Sequence, residues 1–532
     1  MAAIITEKFR LHNAQQFFES FNETGLNEAD TNNSNYYFFI GKPNSFIAAD
    51  NNGVAGVSDS IPPLPIDDVT TENYVWDAMV GAKKINSTDI KYVIPRRNWS
   101  LNTVFDMYDD TIRPPSSTDP TGNVTSNGYT TLWESDFCFI TSNYRVYKVL
   151  YNDKGNPYTG TEPNSDESAP FFIDNYMFKY MYTLTASEAD RFLTTNFIPV
   201  PTDSSSELTD GDGKIHVVDI VNAGTGYTGT GPYYTPIKGD GTGAILKFYI
   251  TNGSISDFGN GATDTFVLDD GTLAVEQQNT GYTYGYVDLS DVYSDQLLTT
   301  PFSLTNTGTD AVIRPIISPK GGHGSNFVAE LGAHFVTINV QLNQSEGDDI
   351  TVNNDFRQLG IVVDPFDYGD SISRSTDSTR RQTYAVHFSS TTGSGNFTID
   401  EKITQNVSGE TAVGRVVDWD STNSILYYTQ ERHVDYGVSS TYRYYAFSGA
   451  NNIVGSSSGT EGVIDTSNTS ITLPNNNTIT FTAGYCTPEM QPDSGNIIYL
   501  ENRKPISRAE DQTEDIKITI EFWDINNRNN NG

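Results

Sequence analysis

"HFVTINVQL", residues 334–342, alternates without a break: Val336, Ile338, Val340 and Leu342 fall on one side and Thr337, Asn339 and Gln341 on the other. A period of two separates the faces of an extended chain, so the stretch predicts a strand with one face on a core and the other in water. The same rhythm returns in "IKITIEFW" (516–523), which directs Ile516, Ile518, Ile520 and Phe522 inward. "YYFFIG" (36–41) and "FRQLGIVVDPF" (356–366) are continuous apolar runs of strand length, and proline closes the second. These stretches predict a mainly β protein with a sandwich or barrel core.

Helical spacing is rarer. "LHNAQQFFESF" (11–21) repeats Leu11, Ala14, Phe17, Phe18 and Phe21 at the helical period, "TENYVWDAMVGA" (71–82) follows with Thr71 as a candidate cap, and "TASEADRFLTTN" (185–196) reads as a short helix capped at Thr185 or Ser187. The proline-punctuated "IPPLPIDD" (61–68) cannot be a central strand.

The composition fits this reading and narrows the function. Among 532 residues, 31 Tyr, 28 Phe and 44 Gly describe aromatic-faced strands joined by turns. Sixty-seven acidic against 32 basic residues give a net charge of −35. Such a surface repels phosphate backbones and anionic headgroups, and no run of five basic residues offsets it, so neither nucleic acid nor membrane is an expected partner. Cys138 and Cys486 are the only cysteines, too few for a disulfide scaffold and without metal-knuckle spacing. "MAAIITEKFRLHNA" lacks the basic start and apolar stretch of a secretory signal, so the chain is expected to be made in a cytoplasm.

Chemical motifs are few. The glycine clusters "KGDGTGA" (238–244) and "KGGHGS" (320–325) lack the spacing of a phosphate loop and read as tight turns. His323 and His334 have no third ligand at metal-site spacing. "DLSDVYSD" (288–295) and "SEGDDITVNND" (345–355) are acidic but do not follow the calcium-loop pattern. No GxSxG elbow marks a nucleophile, no cofactor motif is present, and neither catalytic nor metal residues are assigned.

"YVIPRRNWS" (92–100) is different in kind. Pro95 fixes its own φ and extends Ile94, Trp99 offers a broad rigid face, and Arg96 and Arg97 present two guanidinium forks. In so acidic a chain their expected partners are carboxylates, either within the domain as a clasp or across a subunit contact.

Taken with "IIYLENRKPISRAEDQTEDIKITIEF" (497–522), this stretch resembles the baseplate wedge subunit of T-even-type, contractile-tailed bacteriophages, the subunit numbered eight. "ITEKFR" (5–10), "WDAMVG" (76–81), "NFIPVP" (196–201) and "FRQLGIVVDP" (356–365) match in the same order. The resemblance implies a non-enzymatic structural protein of the virion tail baseplate, assembled in the host cytoplasm. It further implies a homodimer that contacts other wedge subunits and takes part in rearrangement on host attachment. It divides the chain into family core (1–203, 306–370 and 486–532) and two inserted β modules, one glycine-rich (204–305) and one Ser/Thr-rich (371–485). Candidate clamp or interface residues are Pro95, Arg96, Arg97, Trp99, Glu501, Asn502, Arg503, Asp511 and Gln512. Glu501 and Arg503 share a strand face, which makes Glu501 a candidate partner for one of the arginine pair. The alternative function is host-glycan binding or cleavage through the insertions, with Tyr427, Tyr428, Tyr442 and Tyr444 as the aromatic surface.

Overall fold

The computed structural model describes residues 6–21, 34–51, 55–114, 117, 122–202, 208–256, 267–268, 279–343, 346, 349–432, 445–474, 476–509 and 511–522. They fall into two compact units. The first draws on 1–16, 91–337 and 519–532, and the second on 17–90 and 338–518.

In the second unit, a five-stranded antiparallel sheet runs in the order Thr379–Arg381, Met79–Lys84, Tyr36–Gly41, Phe356–Val363, Asn496–Ile506. Every residue of Tyr36–Gly41 is buried, as the unbroken apolar run requires. Gly360 sits opposite Phe39 on one neighbour and Leu500 on the other. A Cβ there would collide with the Phe39 ring and the Tyr499 carbonyl, which explains a glycine in the middle of "FRQLGIVV". Helix Val69–Ala78 lays Val75 and Trp76 on the sheet against Tyr37, Phe39 and Met79. Its cap is Asp68, whose carboxylate accepts from Thr71 N at 2.8 Å, and not Thr71; the expected helix also stops early, because Met79 turns into strand.

The unit's other body is a closed six-stranded barrel. Glu410–Asp420 lies between Lys402–Val407 and Ile425–Thr429; Ile453–Gly455, Glu461–Ile464 and Tyr384–Thr392 follow, and the last pairs back with Ile425–Thr429 to close the ring. Closure removes the exposed edges that a small sheet otherwise carries. Alternation splits the neighbouring tyrosines: Tyr428 fills the barrel with Phe388, Ile403 and Val416, while Tyr427 faces out and is buried with Val417, Leu473 and Phe481 under the hairpin Thr469–Thr472/Thr478–Phe481.

In the first unit, strands Cys138–Ile140, Arg145–Asn152, Tyr176–Thr183 and Phe171–Ile173 form an antiparallel sheet in that order. Its core is nearly all aromatic: Phe105, Phe139, Tyr147, Tyr158, Tyr176 and Phe178. Helix Ala186–Phe192 starts on a full capping box between Thr185 and Glu188, one of the two expected caps.

The glycine-rich stretch forms a β module in which Ile215–Asn222 pairs with Val312–Ile317 beside a sheet centred on Tyr233–Gly239 and Ile245–Thr251. The stretch also echoes itself, "GTGYT" (224–228) returning as "NTGYT" (279–283), and the echo has a physical basis. In each, a glycine at positive φ (Gly226, Gly281) turns the chain so that the next tyrosine, Tyr227 or Tyr282, enters the module's single core.

One expectation fails for "HFVTINVQL". The strand Phe335–Asn343 is observed, but its polar face is not solvated: Thr337 and Asn339 are fully buried. The terminal strand Thr513–Glu521 covers them, with the Thr519 hydroxyl 2.8 Å from that of Thr337 and the Asp515 carboxylate accepting from Asn339. Polar residues alternating with apolar ones are as compatible with a cross-strand hydrogen-bond ladder as with water. The polar tail after Trp523 lies outside the described residues.

Candidate interface residues and the clamps behind them

The segment after Pro95 continues as an extended strip along the aromatic sheet. Trp99 N donates to Ile140 O and Ile140 N donates to Arg97 O, both at 2.9 Å, so Asn98 bridges Ile140 in parallel. This register turns the two arginines to different partners. Arg97 pairs with the Asp136 carboxylate and donates to Glu134 O at 2.6 Å. Among the described residues Arg96 meets no carboxylate: its guanidinium donates to Thr194 O at 2.6 Å and to Asn98 Oδ1 at 2.9 Å, fastening the loop before Phe197–Val200. Trp99 packs on the Phe105–Phe139 core.

Glu501, Asn502 and Arg503 lie on Asn496–Ile506, the last strand of the five-stranded sheet. Glu501 accepts from the Tyr499 hydroxyl at 2.8 Å and lies 3.7 Å from Arg503. Asn502 accepts from Gln358 Nε2 at 2.8 Å and donates to Pro63 O at 3.1 Å. Asp511 and Gln512 are exposed on the turn into Thr513–Glu521. Arg96 and Arg97 belong to the first unit and Glu501 to the second.

The sequence reading missed stronger clamps. Arg432 forks onto Asp493 through two bonds of 2.8 Å, holds Asp77 at 2.9 Å, and donates to Asn73 O. Burial pushes the Asp77 carboxyl up despite that guanidinium. Arg508, with its side chain fully buried, donates to the carbonyls of Ile350 and Thr351 and to Glu514. Both follow ordinary-looking sequence, and only the arginine-for-lysine choice could have marked them.

"KGGHGS" is a tight turn, with Gly321, Gly322 and Gly324 all at positive φ, and it wraps a buried polar knot. The Glu330 carboxylate accepts from Gly324 N and Asn326 N and lies 3.0 Å from Lys148 Nζ. Lys148 also meets His323 Nδ1 at 2.8 Å and the face of Tyr108 at 4.1 Å. Burial and then the Lys148 charge hold His323 well below its ordinary range, so it is neutral. Among the described residues no group of three or more His, Cys, Asp or Glu is arranged to hold a metal ion.

A cleft of about 700 Å³ opens beside the barrel, lined by Asp349, Thr351, Asn353, Arg381, Asp418 and Tyr427. Its carboxylates are engaged by their own chain. Asp418 accepts from the Thr351 hydroxyl (2.6 Å), Asn353 Nδ2 (3.0 Å) and Trp419 N (2.7 Å), and Asp349 accepts from the Thr379 hydroxyl at 2.5 Å. Burial, then Glu489, pushes Asp349 up to about 6. The arrangement ties the 349–353 loop to the barrel and to Thr379. Of the tyrosines considered for glycan contact, Tyr427 and Tyr428 are buried, and Tyr442 and Tyr444 lie outside the described residues.

Residues 3–127 and 409–522 match the family described as Bacteriophage T4, Gp8. The two blocks take in a little under half of the chain, and over them it is similar to that family, whose members are baseplate wedge subunits. The match supports a structural role in the phage tail baseplate. All nine candidate residues, Arg432 and Arg508 fall inside the matched blocks. The glycine-rich module lies between the blocks, and the barrel straddles the start of the second, with Tyr384–Thr392 and Lys402–Val407 ahead of it. No individual curated protein matches the chain.

Proposed function

We propose that the chain works by assembly: it forms a homodimer within each baseplate wedge, contacts other wedge subunits, and exchanges some of those contacts when the baseplate rearranges on host attachment. The observation that carries this reading is strand Asn496–Ile506, eleven residues long, last in its sheet and at least partly exposed along its whole length. An edge of that kind is a template for another strand. Its charges favour a second copy. Antiparallel pairing centred on Asn502 sets each Glu501 opposite the other copy's Arg503, so one pattern satisfies both chains. Partner exchange suits surfaces whose contacts are polar and modest rather than a continuous apolar core. Assembly takes place in the host cytoplasm before the virion is released.

Light scattering on the purified full-length chain tests the dimer: twice 58.7 kDa is expected, and a mass of 58.7 kDa across micromolar concentrations overturns it. Arg503→Glu should weaken the dimer by about tenfold or more, and the swap Glu501→Arg/Arg503→Glu should restore it. A dimer indifferent to both would move the contact elsewhere. Electron microscopy of assembled tails with this chain traced would locate its neighbours.

A further inference from the structure

The proline-punctuated segment after Ile61 is an exposed apolar strap of the second unit. Pro62, Pro63 and Pro65 fix their own φ, and the residue before each is driven to an extended conformation, so the strap is stiff and close to the polyproline form. That form repeats every three residues. Burial follows the period: Pro63 is buried and Ile66 half-buried on one edge, while Ile61 and Leu64 stand 62% and 85% exposed on another. Scattered apolar residues on a surface need no explanation, but two aligned on one rigid edge do.

The position of the strap says what meets that edge. Pro63 O accepts from Asn502 Nδ2 at 3.1 Å, and Asn502 Oδ1 accepts from Gln358 Nε2 at 2.8 Å. Gln358 is the cross-strand neighbour of Asn502 on the inner side of Asn496–Ile506. The two ends of a planar amide diverge, so with its oxygen turned inward Asn502 holds the strap on the outer side, over the open edge. Leu500, on the same face of the strand as Asn502, packs against the core that holds Val75 and Trp76. The strap thus overhangs the edge from the face that helix Val69–Ala78 covers.

A strand added to that edge lies about 4.8 Å from Asn496–Ile506, beneath the overhang. The two-fold axis of an antiparallel pair stands perpendicular to the sheet, so both copies carry their straps on one face. We infer that the strap is the second half of the dimer contact: Ile61 and Leu64 of each copy close over strand Asn496–Ile506 of the other. The inference rests on the dimer reading and adds an apolar layer to it. Prolines hold the strap in place before the second copy arrives, so docking costs little conformational freedom. Between two chains of net charge −35, an uncharged contact is also the one that repulsion penalises least.

Dissociation constants of the full-length dimer, from light scattering over a dilution series, test the contact. Leu64→Asp charges a side chain that the single chain exposes, so the circular dichroism spectrum should stay the same while the dimer weakens by about tenfold or more. Leu64→Met keeps the edge apolar and should leave the dimer as it was. Leu297→Asp is the control, a residue 66% exposed in the glycine-rich module, and should also leave it unchanged. An equal loss with Leu297→Asp would make the effect one of net charge and overturns the inference. A dimer indifferent to Leu64→Asp overturns it as well; if Arg503→Glu still weakens that dimer, the strand pairing stands without the strap. Loss with Leu64→Asp but not with Arg503→Glu would set the strap against another part of the second copy, which also overturns it. A chain that stays at 58.7 kDa at every concentration removes the dimer and the strap contact together.

Discussion

Arg432 and Asp493 face each other fork to fork, with Nη1 and Nη2 each 2.8 Å from a carboxylate oxygen, while the Arg432 Nε side grips Asp77. One guanidinium thus joins helix Val69–Ala78, the exit of the barrel and the turn before Asn496–Ile506.

Replacing Arg432 should therefore do more than remove a surface ion pair. Asp77 would be left buried without its counter-charge, so Arg432→Ala is expected to cost about 3 kcal/mol, and Arg432→Lys, which keeps the charge but loses the fork, about 1–2 kcal/mol. Urea denaturation of the two variants beside the parent checks both the size and the order. A smaller loss for alanine than for lysine would contradict the clamp.

The Asp349 carboxyl, pushed up to about 6, resists ionising in the fold. Its folded value lies above its unfolded one, so the stabilisation is full below about pH 4 and is lost as pH rises through 6. Asp349→Asn should then stabilise the protein at pH 7 by about 2 kcal/mol and leave it unchanged at pH 4. Denaturant midpoints at the two pH values decide it.

His323 has the opposite sign of pH dependence. Its folded value is depressed, so the unfolded chain binds the extra proton and stability falls as pH drops below the ordinary histidine range near 6.5. Glu330→Gln should destabilise at every pH by about 3 kcal/mol, since it leaves the Lys148 ammonium buried beside a neutral ring. His323→Asn should flatten the parent's slope between pH 7 and 5; an unchanged slope would remove His323 as its source.

Gly360→Ala should cost about 2 kcal/mol or more, because the Phe39 ring and the Tyr499 backbone leave no room for a methyl group between three adjacent strands. Gly395→Ala is the comparison. That glycine sits at φ +83° in a loop with its nearest atom 4.0 Å away, so its cost comes from backbone conformation alone. Thermal midpoints of the two measure crowding against backbone strain.

Arg97→Ala should lose about 1–2 kcal/mol through Asp136 and the Glu134 carbonyl, and Arg96→Ala less, since its bonds are to a backbone carbonyl and a neutral amide. Reversed magnitudes in thermal unfolding would exchange their roles.

Period and composition carried the strands because burial on one face enforces alternation, and they carried the module's paired tyrosines because a left-handed glycine before an inward ring leaves a trace in the letters. They could not distinguish water from a covering strand at Thr337 and Asn339, since both satisfy a hydroxyl or an amide. Nor could they show that the side-by-side Arg96 and Arg97 separate: a strip in extended conformation points neighbours apart, and which one meets a carboxylate depends on Asp136, set by a turn elsewhere. Arg432 was illegible because its partners Asp77 and Asp493 come from distant segments that only the fold assembles, and Arg508 because the Ile350 and Thr351 carbonyls that bury it do too.

Arg10, on helix Glu7–Ser20, donates to the Phe522 carbonyl at 3.3 Å and pairs with Glu521 at 3.2 Å, more than five hundred residues along the polypeptide. During translation the early helix must wait, without its final dock, until the last strand has cleared the ribosome. The helix thus gains this dock only after some five hundred further residues have been made, and a copy truncated before Thr513 would lack the strand that this arginine holds.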